Sequence, residues 1–172
     1  MSDVLVIYYS RKGENYMPGG LQFLEKGHTE RAAEYIRKAL SADIFEIDTL
    51  EPYPASYREC CRQAVVEFKA NARPELRNYP EDISDYNTFF VCYPCWAGTA
   101  PMCIFSFLER YDFSGKNIIP LCTNGGSGIE QSVEDIKKSC KGGNVLPGLS
   151  VLGHECAERE EFISSWAREQ LK

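Results

Sequence analysis

Short apolar runs alternate with segments of helical spacing along the whole chain, and this alternation constrains the fold more than any other feature of the sequence. Five such runs cover residues 4–9, 44–47, 88–92, 117–122 and 145–152. Largely apolar runs of this length are typical of strands that are buried on both faces of a sheet. Strands that alternate with helices favour a parallel sheet with helices on both faces, so the sequence predicts an α/β fold.

The connections between these runs carry helix signals. Thr29 has the residue type of an N-cap for the first helix, and Ser127 and Glu130 have the spacing of a capping box for the fourth. Pro147 and Gly148 are expected to weaken the fifth strand. The residues predicted to form buried helix faces are Ala33, Ile36 and Leu40 in the first helix, Tyr57, Cys61, Ala64 and Phe68 in the second, and Ile129, Val133, Ile136 and Cys140 in the fourth.

Length and charge exclude several function classes. The 172 residues fit one domain, which we assign to residues 1–172. No segment approaches the ~20 apolar residues that span a bilayer, and the N-terminal residues lack the basic region of a signal peptide. We therefore expect a cytoplasmic protein without a membrane partner. The net charge of −6, with no basic cluster, argues against a nucleic-acid partner.

The eight cysteines lie mostly within apolar stretches, where a reduced thiol packs as a small hydrophobic group. Cys92 and Cys95 match the C-x-x-C pattern formally. A thioredoxin-like pair needs its first cysteine at a helix N-terminus, whereas Cys92 ends a predicted strand. A zinc site needs a second pair of ligands at suitable spacing. The sequence therefore predicts neither a redox pair at these two positions nor a metal site.

The loops after the first, third and fourth predicted strands are where the site is expected, because open α/β sheets bind ligands beyond the carboxyl ends of their strands. The first loop, residues 9–15 continuing to His28 and Thr29, combines hydroxyls, glycine and a helix start. This combination is typical of an anion site, although a turn followed by an N-cap explains the same residues. Residues 16–27 are interpreted as an insertion that bends at Pro18-Gly19-Gly20.

The other two loops favour a flat ligand. Trp96 lies among Pro and Gly residues in loop 93–101, and its ring is expected to stack either on a planar heteroaromatic ligand or on the adjoining helix. In loop 123–128, glycines allow close approach of a ligand, and Asn124 with backbone N–H groups can pair with a polar ring edge. A flexible strand-to-helix turn is the alternative interpretation of this loop.

Together these loops resemble those of the flavodoxin family, in particular its branch with a long first loop. The matching segments are Tyr-Tyr-Ser-Arg-Lys-Gly at 8–13, His-Thr-Glu at 28–30, Tyr-Pro-Cys-Trp-Ala-Gly-Thr-Ala-Pro at 93–101 and Cys-Thr-Asn-Gly-Gly-Ser-Gly at 122–128. The resemblance implies a flavodoxin-like three-layer sandwich whose five-stranded parallel sheet has the order 2-1-3-4-5. It also implies one flavin mononucleotide (FMN), bound without covalent attachment where the strand order reverses.

The resemblance further implies a role for each loop in holding FMN. The phosphate would lie among Ser10, Lys12, Asn15, His28 and Thr29. The loop that flanks the isoalloxazine ring would supply Tyr93, Pro94, Cys95, Trp96, Ala97, Gly98 and Thr99. The other side of the ring and its pyrimidine edge would meet Thr123, Asn124, Gly125, Gly126, Ser127 and Gly128.

Two functions on this fold stay open at the level of sequence. One is an electron carrier that serves a redox partner protein through FMN. The other is an FMN-dependent NAD(P)H oxidoreductase acting on a quinone or another small-molecule acceptor, which needs a pocket above the ring. The long first loop or the region of Tyr53 and Tyr57 is expected to form the wall of such a pocket.

Overall fold

A parallel sheet forms the centre of the protein in the computed structural model, which describes residues 2–172 apart from the side chain of Glu130. The strands are β1 (Val4–Tyr8), β2 (Gly13–Met17), β3 (Gly20–Leu24), β4 (Asp43–Glu46), β5 (Thr88–Pro94), β6 (Asn117–Asn124), β7 (Asn144–Val145) and β8 (Leu149–Leu152). In the main sheet the order is β4-β1-β5-β6, and both β7 and β8 pair with β6. All of these pairs are parallel, which confirms the predicted order 2-1-3-4-5.

The fifth predicted strand is divided into β7 and β8. Pro147 and Gly148 separate the two pieces, and Gly148 has a φ of 78°, in the left-handed region that favours glycine. A Cβ at Gly148 would overlap the carbonyl oxygen of Pro120 on β6. The backbone therefore leaves β6 after Val145 and pairs with β6 again from Leu149.

Helices cover both faces of the sheet, as predicted. They are α1 (His28–Leu40), α2 (Tyr57–Lys69), α3 (Met102–Leu108), α4 (Glu130–Ser139) and α5 (Glu160–Glu169), with a 3₁₀-helix over Gly153–Glu158. Residues of α1 and α5 pack on one face, and residues of α3 and α4 pack on the other. Among the described residues, no helix combines the length and apolar character needed to cross a bilayer.

The continuous apolar run of β1 follows from its central position between two helical layers. Val4, Val6 and Tyr8 pack in the core beneath α1 and α5. Leu5 and Ile7 point to the opposite face, because successive side chains of a strand alternate. All five are buried, so neither face of β1 admits a polar residue without loss of stability.

Three helix predictions are corrected by the structure. Thr29 is not an N-cap: α1 begins at His28, and the N-cap is Gly27. The fourth helix begins at Glu130 without a side-chain cap, so Ser127 does not cap it, and the Glu130 side of the predicted capping box lies outside the described residues. In α2 the buried residues are Cys60 and Ala64, whereas the predicted core positions Cys61 and Phe68 are exposed.

The insertion in the first loop is a β-hairpin. Strands β2 and β3 pair antiparallel from Gly13 to Leu24, so the inserted element begins three residues before the predicted start at position 16. The chain then returns to its starting point, because Gly27 lies directly against Ser10 and Arg11 at the end of β1. The strand-to-helix junction of β1 and α1 is therefore closed in space although the hairpin interrupts it in sequence.

Gly27→Ala is expected to lower the free energy of unfolding by about 1–3 kcal/mol, since overpacking of a tight contact has a cost of this size. A Cβ at Gly27 would lie 2.6 Å from the carbonyl oxygen of Arg11, and a backbone atom has little freedom to move away. Gly125→Ala is the matched control, because a Cβ there has no neighbour within 4 Å. Urea unfolding of both variants measures the difference, and equal stabilities would contradict the close approach.

Candidate cofactor site

A cavity of about 310 Å³ opens at the carboxyl edge of the sheet, where β1, β5, β6 and β8 end. Its lining comes from the hairpin, α1, α2 and the loops that follow these strands. The lining residues are Arg11, Asn15, Tyr16, His28, Tyr57, Cys60, Cys61, Ala64, Val65, Pro94, Cys95, Trp96, Ala97, Thr123, Asn124, Gly125, Gly153 and His154. Half of the residues that the sequence assigned to the site belong to this lining: Asn15, His28, Pro94, Cys95, Trp96, Ala97, Thr123, Asn124 and Gly125.

The N-terminus of α1 points to one end of the cavity. His28, the first residue of α1, lines the cavity, and its Nε2 lies 3.2 Å from Sδ of Met17 on the hairpin. Ser10 is outside the lining, but its hydroxyl accepts a hydrogen bond of 3.0 Å from the backbone N–H of Glu30. Ser10 therefore caps α1 from a position 20 residues earlier in the chain. Helix N-termini attract anions through their N–H groups and dipole.

Arg11 is a buried cation at this end of the cavity, and the sequence analysis did not assign it to the site. Its guanidinium donates to three backbone carbonyls, at 2.9 Å to Glu14, 3.0 Å to Pro54 and 2.8 Å to Ala55. These bonds connect the hairpin to the segment that precedes α2. They use three of the five N–H donors of the guanidinium and leave its positive charge, which favours an anion in the cavity.

The remaining residues assigned to the phosphate have different positions. The amide nitrogen of Asn15 donates to the carbonyls of Arg11 and Gly13, at 3.0 and 3.2 Å, and so shapes the loop while Asn15 lines the cavity. Lys12 is exposed and does not belong to the lining. Thr29 is buried beneath the cavity, where its hydroxyl shares a 2.7 Å hydrogen bond with the hydroxyl of Thr123.

A tight turn presents Trp96 to the cavity. The backbones of Trp96 and Thr99 exchange hydrogen bonds of 2.8 and 3.0 Å around Ala97 and Gly98, which both have positive φ angles. The indole packs edge-on against Tyr9 and Tyr53, with ring centroids 5.1 and 4.8 Å away. Trp96 is therefore held by two tyrosines and also lines the cavity.

Two residues of the same loop turn away from the cavity. The side chain of Tyr93 is fully buried, and its hydroxyl shares a 2.8 Å hydrogen bond with that of Ser132 on α4. Thr99 is buried as well and donates to the carboxylate of Asp135 at 2.8 Å. These side chains anchor the loop to α4, so the structure does not bring them to the position where a ring contact was predicted. Gly98 also lies outside the lining.

The loop after β6 is organised by Asn124. Its side-chain oxygen accepts hydrogen bonds from the N–H groups of Gly126 and Gly128, at 2.8 and 3.4 Å. Its amide nitrogen donates to the hydroxyl of Ser150 at 2.8 Å. The side chain thus holds the loop in shape. Gly126, Ser127 and Gly128 lie outside the lining of the cavity.

One part of the cavity wall was not predicted from the sequence, and another was predicted only in part. Gly153 and His154 follow β8, so the rule that sites lie beyond strand ends would have found them had it been applied to the fifth strand as well. The other part is α2, of which only the region of Tyr57 was expected as a wall, whereas Cys60, Cys61, Ala64 and Val65 were not. The Tyr57 ring stacks on Tyr16 of the hairpin with centroids 6.2 Å apart and planes inclined by 27°. No local sequence signal brings these two elements together.

The arrangement suits a planar ring system with an anionic tail. Trp96, Pro94 and Ala97 provide a flat and partly apolar side. The end of the cavity at the start of α1 has the N–H groups of the helix terminus and of His28, together with the positive charge of Arg11. Such an end is typical of sites that bind phosphate groups. The fold and this cavity together define a flavodoxin-like protein.

Comparison with known proteins assigns the family. A family model described as flavodoxin matches residues 21–169. The chain belongs to the flavodoxin family. A comparison with curated protein sequences gives no match.

Solved structures of similar proteins cover nearly the whole chain. A protein described as a flavoprotein from Bacteroides uniformis is 26% identical, with a TM-score of 0.77, over 96% of this chain and 97% of the other. One from Bacteroides eggerthii is 28% identical, with a TM-score of 0.75, over 96% of both chains. A flavoprotein from Lactobacillus acidophilus, solved in complex with FMN, is 20% identical with a TM-score of 0.67, over 90% of this chain and 96% of the other.

The position of His28 predicts a pH dependence of stability. Burial lowers the pKa of His28, and the positive charges of Arg31 and His154 lower it further. Unfolding restores the ordinary pKa of about 6.5, so the unfolded chain binds a proton more readily as the pH falls. This contribution therefore reduces the free energy of unfolding as the pH falls through about 6.5.

His28→Gln is expected to lose less stability than the wild type between about pH 8 and pH 5, as measured by urea unfolding. Lys69→Gln serves as the control, because Lys69 is exposed at the end of α2, and its profile should parallel that of the wild type. Parallel profiles of His28→Gln and wild type would contradict the role of His28.

Proposed function

We propose that the protein is an electron-transferring flavoprotein that holds FMN without covalent attachment in the cavity at the carboxyl edge of the sheet. The observation that carries this proposal is that one cavity combines a helix N-terminus and the charge of Arg11 with an aromatic wall formed by Trp96. Membership of the flavodoxin family supports FMN as the cofactor, and so does the FMN complex of the Lactobacillus acidophilus protein.

The phosphate fits the end of the cavity formed by α1. There His28 and the first N–H groups of α1 would bind the phosphate oxygens, and the charge of Arg11 would favour the anion. Asn15 would hold the loop beside them through its bonds to the carbonyls of Arg11 and Gly13. Ser10 acts through α1, because its hydrogen bond to the N–H of Glu30 fixes the direction of the helix start. Thr29 supports the same junction from below through Thr123.

The isoalloxazine ring fits the opposite end. Trp96 would provide one face, and the turn at Ala97 would bring backbone groups to the ring edge. Gly125 allows close approach on the other side, because it has no side chain to occupy the space. When bound, FMN supplies the capacity to accept and release electrons. The chain positions the cofactor and limits the access of water to it.

Variants at the two ends of the cavity test this orientation. His28→Ala is expected to weaken FMN binding about 10-fold or more, because a hydrogen bond to a charged group contributes roughly 1.5–3 kcal/mol. Binding of riboflavin, which lacks the phosphate, should change little. Trp96→Leu should weaken both ligands by a similar factor, since loss of aromatic packing costs about 0.5–1.5 kcal/mol.

Fluorescence titration of the apoprotein with FMN and with riboflavin gives these affinities. Lys69→Gln, which lies outside the cavity, should bind both ligands like the wild type. Equal losses of FMN and riboflavin affinity in His28→Ala would contradict the phosphate assignment. A wild-type protein that binds neither ligand would contradict the proposed function as a whole.

A second candidate is an FMN-dependent NAD(P)H oxidoreductase, and the wall formed by Tyr16 and Tyr57 favours it. These stacked rings stand beside the cavity together with Val65 of α2, and they offer an apolar surface to a second planar molecule. A carrier would need only a redox partner protein at the cavity mouth. An oxidoreductase would bind NAD(P)H and a small-molecule acceptor in turn.

Rapid mixing of the oxidised FMN-loaded protein with NADH or NADPH, without oxygen, distinguishes the two functions. Fast loss of the yellow flavin absorbance supports the oxidoreductase, and Tyr57→Ala should then slow this loss while FMN stays bound. Tyr35→Ala is the control, because Tyr35 lies on α1 away from the cavity. Absorbance that persists with both nucleotides would leave the electron carrier as the proposed function.

A further inference from the structure

Two cysteines lie on neighbouring chain segments beside the cavity: Cys95 follows β5, and Cys122 lies within β6. Pro94 of β5 pairs with Thr123 of β6, and the N–H of Cys95 donates to the carbonyl of Thr123 at 2.8 Å. Cys122 pairs with Tyr93, so Cys122 and Cys95 share one face of the sheet, because side chains two residues apart on a strand point the same way. Both side chains pack in the core cluster on this face, and each thiol shifts the pKa of the other.

The two thiols differ in their access to solvent. Cys95 is partly exposed and lines the cavity, whereas Cys122 is fully buried. The sulfur of Cys122 also lies 3.7 Å from the carbonyl oxygens of Thr123 and Gly128. An accessible thiol beside a buried one is the arrangement in which the first sulfur attacks an external disulfide and the second resolves the product.

The surroundings of Cys95 favour its thiolate form. The hydrogen bond from the Cys122 thiol lowers the pKa of Cys95 to about 6, against the effect of burial, with further contributions from the Ser127 hydroxyl and the N–H of Gly98. The interaction with Cys95, together with burial, raises the pKa of Cys122 above its usual range. Cys95 therefore supplies the thiolate that attacks an external disulfide, and Cys122 keeps its proton until it attacks in the second step.

We propose that Cys95 and Cys122 are a redox-active thiol pair that a low-molecular-weight disulfide oxidises to an intramolecular disulfide. The Cys95 thiolate attacks one sulfur of the external disulfide, forms a mixed disulfide and releases one thiolate. The sulfur of Cys122 then attacks Cys95, and its proton passes to the second leaving thiolate. The protein loses two electrons and the external disulfide gains them, so one disulfide replaces another.

The other cysteines near this pair are placed differently. Cys92 is fully buried in the core beneath α1 and α5, on the opposite face of the sheet from Cys95. The sequence motif C-x-x-C therefore does not describe the pair, in agreement with the prediction that Cys92 and Cys95 do not react together. Cys61 is exposed on α2 and lines the same cavity, so it is the thiol that competes for an external disulfide.

The proposal goes beyond FMN binding and does not depend on it. The test uses the full-length protein, both as purified and after removal of any bound flavin. Each form is equilibrated with mixtures of reduced and oxidised glutathione, remaining free thiols are alkylated, and peptides are mapped by mass spectrometry. We expect a cross-linked peptide that joins Cys95 to Cys122, formed reversibly as the glutathione ratio changes.

Variants assign the two roles. Cys61→Ser should form the same cross-link, because the pair is intact. Cys122→Ala should stop at a stable glutathione adduct on Cys95, and Cys95→Ser should form neither product. Because Cys122 is in the core, circular dichroism checks that Cys122→Ala is folded. If this variant does not fold, the wild-type peptide map alone decides the proposal. Absence of the cross-link in both wild-type forms, or a cross-link from Cys95 to Cys92 or Cys61, would overturn the proposal.

The pH profile of alkylation provides a second readout. Iodoacetamide should modify Cys95 in Cys122-containing protein at about half its maximal rate near pH 6, in accordance with a pKa of about 6. Free glutathione, with an ordinary thiol pKa of about 8.5, should react there at below ~1% of its maximal rate. A Cys95 profile that coincides with that of glutathione would overturn the assignment of Cys95 as the attacking thiolate.

Discussion

The close approach of Gly27 to Ser10 and Arg11 is the contact on which the site depends. It brings the start of α1 to the end of β1 after the chain has made a hairpin of its own, and the Ser10 hydroxyl then receives the N–H of Glu30. The helix terminus is thereby fixed at the sheet edge, where its N–H groups can meet an anion. A side chain at position 27 would separate the two elements and would move this terminus away from the cavity.

Arg11 connects that junction to the far wall. Its guanidinium reaches the carbonyls of Glu14, Pro54 and Ala55, so one buried side chain holds the hairpin and the segment before α2 together. The neighbouring backbone of Tyr57 donates to the carboxylate of Glu14 at 2.7 Å, which adds a second connection between the same elements. These polar bonds hold the aromatic wall of Tyr16 and Tyr57 in place, because the two ring centroids are 6.2 Å apart and the rings alone interact weakly.

The order of the sheet could be predicted from sequence only with the family resemblance, whereas the strands themselves follow from apolar continuity. Residues 4–9 and 88–92 are buried on both faces, as short apolar runs between turn signals predict. The loops beyond the strands were also found, because parallel strands end at one edge. Side-chain roles were harder to predict: Thr29 has the residue type of a cap, but Ser10 performs this function from 20 residues away. Arg11 and the wall of α2 depend on contacts between segments more than 40 residues apart, which leave no periodic signal in the sequence.

Because the junction of β1 and α1 is closed beneath the hairpin, changes in the hairpin need not change the position of the helix start. Because Ser10 and Gly27 meet directly, residues between β2 and β3 can change in length or composition without displacing the helix start. Strand β3 of the hairpin carries exposed Leu21 and Phe23, so the hairpin presents apolar side chains to solvent. Substitutions in the hairpin can therefore alter the outer rim of the site while the helix start that faces the cofactor keeps its position.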